Sequence, residues 1–147
     1  MLTANGKALC KFGNSYSRGS TTFMFTDGTT GARQTGGLTQ VFAGMKLYVG
    51  TGSATPASTD YALTNADAGL TVILKTGTND GTAPSYLQDY IGIFSATYKN
   101  ETGSDVTVSE VGIIGTSNSQ DVLVARETFA PVTIEAGDSY TFTMYIG

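Results

Sequence analysis

Glu110 and Arg126 are the residues of this chain whose types and spacing first suggest chemistry. A carboxylate beside a guanidinium makes a binding clamp or polarises a substrate. The same two groups facing each other across paired strands fix how the strands align. They lie in two apolar-alternating segments, residues 106–114 and 122–129, joined by GTSNSQD at 115–121, a run with no apolar side chain. Pairing Ile114 with Val122 puts Glu110 opposite Arg126, Gly112 opposite Val124 and Val108 opposite Thr128. Such a pair contributes roughly 0.2–1 kcal/mol. It also resists a one-residue slip, which would turn every side chain to the wrong face. We read it as a structural cross-strand clamp rather than a catalytic or binding pair.

Other reactive combinations fail on residue type or spacing. The chain has no His, so a Ser–His dyad, a Cys–His pair and the usual zinc sets are excluded. Cys10 stands alone and has neither a disulfide partner nor a His to activate it. The run GTGSATP at 50–56 resembles a phosphate-cradling loop, yet it lacks the Gly-Lys-Ser/Thr ending and does not open a helix as GxGxxG does. A mobile turn before Pro56 is expected there. Asp60, Asp67, Asn79 and Asp80 lack calcium-loop spacing and read as solvated turn residues. No pair of carboxylates is marked out for glycoside hydrolysis. Asn100-Glu101-Thr102 matches a glycosylation acceptor, but it sits in a polar turn with no sign of a secretory route. No enzyme activity, cofactor or metal is expected.

The elements that would position these residues are strands. The 147 residues suit one domain, and a chain of this size buries roughly 68–70% of its unfolded surface. Gly is frequent, at 19, charged residues make up only 14%, and Thr and Ser recur throughout. That mixture favours strands punctuated by turns, and no long helical periodicity appears. The expected fold is all-β, a single antiparallel β-sandwich or jelly-roll-like domain. Net charge is −4, and the eight Lys and Arg are scattered, so nucleic acid is not an expected partner. No apolar run approaches the roughly 18–20 residues that span a bilayer. The first seven residues lack the charged-then-apolar order of a signal peptide, so the chain is expected to stay in a cytoplasm until assembly.

In chain order, residues 1–37 form an expected N-terminal arm, and residues 38–147 the sandwich domain. Leu2, Leu9, Phe12 and Tyr16 are spaced apolar residues in the arm and candidates for a contact with another subunit. The arm either lies over its own domain or on a neighbour. Within it, residues 22–26 are a strand candidate ended by the turn pair Asp27-Gly28, and residues 29–37 read as a loop. Residues 45–49 and 70–75 are strands. Residues 58–61 start a short helical turn capped by Ser58 or Asp60. Residues 90–99 are expected to pair with 106–114 through the turn at 100–105. Pro131 opens a strand at 132–134. In the last strand Tyr140, Phe142, Met144 and Ile146 share one face, and Thr141, Thr143 and Tyr145 the other.

Six runs carry a family likeness: LYVGTGSATP at 47–56, DYAL at 60–63, ATYKNETGSD at 96–105, VSEVGI at 108–113, LVAR at 123–126 and VTIEAGD at 132–138. Their order resembles that of small β-sandwich virion proteins of tailed bacteriophages. The likeness spans residues 47–146 and leaves the arm outside. It implies a structural role in a phage particle, first as a head decoration (auxiliary capsid) protein that stabilises the shell. The partners implied are the major capsid protein or other virion proteins, and a homo-oligomer, a trimer, is expected. The implied location is the virion, assembled in the host cytoplasm. The alternative implied role is a tail, neck or baseplate component. A further alternative is a carbohydrate-binding module using Tyr16, Tyr48, Tyr61, Tyr86 or Tyr98.

Overall fold

The computed structural model describes residues 1, 3, 4, 6, 20–34, 45–77, 92–117 and 119–146. Among these are eight strands, and all their pairings are antiparallel. β1 (Ser20–Met24) and β2 (Thr30–Gln34) form a hairpin. β3 (Lys46–Gly50), β6 (Val106–Ser117) and β7 (Gln120–Ile134) form one sheet in the order β3-β6-β7. β4 (Thr71–Gly77), β5 (Gly92–Lys99) and β8 (Ser139–Ile146) form a second in the order β4-β5-β8. The protein is an all-β antiparallel sandwich.

Alternation explains the β4-β5-β8 sheet. Phe94, Ala96 and Tyr98 of β5 are buried, as are Phe142 and Met144 of β8. The residues between them turn outward, because successive strand side chains point to opposite faces. The β3-β6-β7 sheet behaves differently. Residues 108–115 of β6 and 122–126 of β7 are buried without interruption, so both faces of this sheet are covered. Leu47, Val49, Ile113, Val124 and Ala125 join Phe94, Tyr98, Phe142 and Met144 in one buried cluster. Phe23 and Phe25 belong to that same cluster, so the β1–β2 hairpin packs on the domain's own core.

Four sequence expectations are corrected. First, β5 pairs with β4 and β8, not with β6. The segment 100–105 therefore crosses between sheets, and buried Asn100 ties it down. Its Nδ2 donates to the Ser104 and Ile134 carbonyls at 2.7 and 2.8 Å, and its Oδ1 accepts the Thr102 N–H and hydroxyl at 3.0 and 2.7 Å. Second, the 115–121 run is not a loop: β6 and β7 continue through it to a tight turn where Ser119 has φ 64. A two-residue hairpin turn requires such positive φ, and Thr116 Oγ1 donates to Asp121 Oδ1 at 2.8 Å beside it. β7 likewise runs on through Pro131, which an edge strand tolerates. Third, residues 30–34 are strand rather than loop, paired with β1 across the Asp27-Gly28 turn. Fourth, residues 58–61 do not start a helix; the short 3-10 segment comes later, at Ala66–Gly69.

The β6–β7 register is also corrected. Glu110 pairs with Thr128, and Arg126 with Gly112. The tighter turn moves the register by one residue and an irregularity near Val124 moves it by another. A two-residue shift keeps every side chain on its face, so Glu110 and Arg126 meet diagonally instead of directly.

Candidate functional site

Arg126 is the centre of a buried charge network. Its Nε donates to Glu110 Oε2 at 2.6 Å, and its Nη1 donates to Asp60 Oδ2 at 2.8 Å. Gly112, opposite Arg126, has no side chain to stand between them, and a Cβ there would meet Leu63 and Leu123 at 2.9 Å. The second oxygen of Glu110 accepts the Gly52 N–H at 3.0 Å and the Thr64 N–H at 2.7 Å. Glu110 is fully buried, and Arg126 is nearly so. Burial would lower the guanidinium's pKa. Hydrogen bonds and charge from Glu110 and Asp60 outweigh it and hold the pKa above its ordinary value.

This network explains the glycine-rich run after β3. A Cβ on Gly52 would meet the Glu110 carboxylate at 2.7–2.8 Å, and one on Gly50 would overlap Glu110 Oε1 and approach the Thr64 carbonyl. The expected mobile turn is instead part of a cradle for an anion, the protein's own Glu110 carboxylate. It is pinned rather than swinging free: Thr51 N–H donates to the Thr64 carbonyl at 2.9 Å, and Asp60 Oδ2 also accepts the Ala57 N–H at 2.8 Å. Arg126, Glu110 and Asp60 have no room for a substrate between them, so the arrangement locks residues 51–65 over the β3-β6-β7 sheet.

A second cluster lies where the sheets meet. Asp67 Oδ1 accepts the Tyr98 hydroxyl at 2.5 Å and Lys75 Nζ at 3.2 Å, and Lys75 Nζ sits 3.3 Å from the Tyr48 ring centroid. Asn65, Asp67 and Ala68 all have positive φ, an uncommon backbone region for residues with side chains. Burial, then the bond to Asp67 and its charge, push the Tyr98 hydroxyl pKa up. Burial and the charges of Asp121 and Asp67 raise Tyr48. Burial lowers Lys75 despite Asp67, whose charge pulls the other way. Lys75 thus bridges a carboxylate and two rings at the junction of the sheets.

The outer face of the β4-β5-β8 sheet has the opposite character. Ser95 and Thr143 hydroxyls meet at 3.0 Å, and Thr97 and Thr141 at 2.8 Å, in directly paired rows. Among these rows stand Ile93 opposite Tyr145, and Leu74 opposite Thr97. Tyr145 is 74% exposed, Leu74 58% and Ile93 53%. Ile73, at an irregularity of the β4 edge, is exposed as well. Lys99, beside Thr71 and Ser139, brings a charge to one corner of this face.

The structure locates the residues singled out from sequence unevenly. Glu110 and Arg126 are brought together, and Asp60 joins them, which residue spacing did not reveal. Tyr48 is partly buried with Lys75 over one face of its ring, Tyr98 is buried and so closed to sugar stacking, and Tyr61 is exposed. Tyr145, the most exposed ring in the described strands, was not singled out; its position opposite Ile93 on an outward face was the available signal. Asn100 is buried with its amide fully engaged, which closes it to glycosylation in the folded chain. Leu2, Leu9, Phe12, Tyr16, Cys10, Asn79, Asp80 and Tyr86 lie outside the described residues. Among the described residues no three His, Cys, Asp or Glu are grouped to hold a metal, and no helix is long and apolar enough to cross a membrane. Comparison with known protein families, characterised proteins and solved structures finds no match.

Proposed function

We propose that this protein is a structural component of a bacteriophage particle, a head decoration protein that binds and stabilises the capsid surface. The observation that carries the reading is the outer face of the β4-β5-β8 sheet. It is a broad, nearly uncharged surface of hydroxyl rows with Leu74, Ile93 and Tyr145 exposed, held on a sandwich that is locked elsewhere. Such a face suits many small contacts with another protein surface, and its low charge does not suit a polyanion. Contacts offered only by the assembled shell stabilise that shell by mass action, and symmetric placement repeats a modest interface many times. The resemblance of the six motif runs points to the same class of protein.

Immunogold labelling of intact particles tests the location. Dense gold over the head supports decoration. Gold confined to the tail or neck replaces it with the tail-component reading, and no label on any particle removes the virion reading. Tyr145→Asp with Leu74→Asp should abolish particle binding while leaving the circular dichroism spectrum unchanged.

A further inference from the structure

Three strands and a strained turn deliver an amine to a carboxylate in a largely enclosed place. Lys75 comes from β4, Tyr98 from β5 and Tyr48 from β3, and Asp67 from the 3-10 segment Ala66–Gly69. Lys75 Nζ lies 3.2 Å from Asp67 Oδ1, and the Tyr98 hydroxyl donates to the same oxygen at 2.5 Å. The Lys75 side chain is 11% exposed and that of Asp67 27%. The Tyr48 ring covers the amine at 3.3 Å, and the Tyr98 ring centroid is 5.4 Å from it.

The fold imposes this approach from both ends. Lys75 pairs with Ala96, and Tyr98, two residues further along β5, shares the inward face of Ala96. Asn65, Asp67 and Ala68 hold φ of 47, 63 and 50. Residues with a Cβ keep that region only where their surroundings force it, and such strain gathers where a side chain must be aimed. An amine and a carboxyl group held in contact can join by losing water, and holding them so turns a bimolecular encounter into an intramolecular one. Burial favours the neutral forms that the reaction needs. It lowers the Lys75 pKa, with Asp67 opposing and Lys46 assisting. Burial and Asp67 keep the proton on Tyr98.

We propose that Lys75 and Asp67 form an isopeptide bond within the folded chain, with Tyr98 as the acid. The ammonium gives up two protons, and both end on Oδ1, one of them relayed through the Tyr98 hydroxyl, which is restored. The nitrogen lone pair forms the Nζ–Cγ bond, the Cγ–Oδ1 bond breaks, and Oδ1 leaves as water. Oδ2 becomes the amide carbonyl oxygen. Nothing is oxidised or reduced. The bond staples the strained turn to β4. Chains that have not formed it keep the ion pair, and only they titrate at Lys75. The bond does not depend on the virion role.

Intact-mass spectrometry of the folded full chain should find it lighter than its sequence by one water. Chymotrypsin, which cuts after Leu70 and Leu74, should leave residues 67 and 75 joined in one branched peptide. Lys75→Arg keeps a cation beside Asp67 but removes the primary amine, and should restore the full mass. Asp67→Asn should form the same bond by losing ammonia, and so reach the same final mass as the linked parent chain. Tyr98→Phe should leave most chains unlinked. A parent chain of full mass that trypsin cleaves after Lys75 overturns the proposal. So does a water loss that persists in Lys75→Arg, since it would belong to a cyclised aspartate. Complete linkage in Tyr98→Phe overturns the part assigned to Tyr98.

Discussion

The two sheets of this sandwich use the same Thr- and Gly-rich vocabulary to opposite ends. The β3-β6-β7 sheet is covered on both faces: one joins the common core, and residues 51–65 are fastened across the other by Arg126, Glu110 and Asp60. The β4-β5-β8 sheet is covered on one face only and leaves Leu74, Ile93 and Tyr145 in water. The charged residues that look like a site close the fold, and the bland face is the one left open for the contacts proposed above. Burial is what separates them. A charge taken from water must be paired on the spot, whereas exposed threonines stay compatible with water and with another protein.

The comparison breaks most visibly if the network is not structural. Arg126→Ala should cost about 3–5 kcal/mol, because it strands buried Glu110. Replacing both Glu110 and Arg126 by apolar residues of similar volume should recover most of that loss in denaturant melts. Additive single and double effects would mean that the two side chains do not interact.

Gly52→Ala should cost about 1–3 kcal/mol through overlap with the Glu110 carboxylate. In a Glu110→Ala background the same change should cost little. An equal penalty in both backgrounds would show that the glycine serves backbone conformation rather than the carboxylate.

Alkaline stability sharpens the picture of the sheet junction. Tyr98 and Tyr48 have pKa values raised above the unfolded 10.0, so above that pH the unfolded chain releases protons that the folded chain retains. Stability should fall as pH rises through 10, by about 1.4 kcal/mol per pH unit for each retained proton. Lys75 opposes this: its folded pKa is lowered, so its contribution rises as pH approaches 10.5. Tyr98→Phe should flatten the fall. An unchanged pH profile in that variant would remove Tyr98 from the account.

The smallest stability effect belongs to the open face. Tyr145→Ser or Leu74→Thr should change stability by less than about 0.5 kcal/mol, measured by thermal unfolding, yet weaken the particle association proposed above. A large loss of stability would mean that this face is covered within the chain itself.

The six motif runs are now readable in physical terms. Gly50, Gly52, Asp60, Glu110 and Arg126 come from four of them and meet in one network. Asn100 and Gly137-Asp138 come from the other two and meet in a second: Asn100 N–H donates to the Asp138 carbonyl at 2.8 Å and Gly137 N–H to the Asn100 carbonyl at 2.7 Å. Their order along the chain thus brings together the contacts that close the sandwich.

Sequence alone determined the all-β character, the Asp27-Gly28 turn, the inward Phe142 and Met144, and the shared face of Glu110 and Arg126. These follow from period-two alternation and turn residues, which act over a few neighbours. Tertiary structure decided that β5 lies between β4 and β8, that Glu110 and Arg126 meet diagonally, that Asp60 completes their network, and which sheet face stays open. Alternation reports that a face is buried but not what covers it. The cover comes from residues tens of positions away, and only the folded chain brings them together.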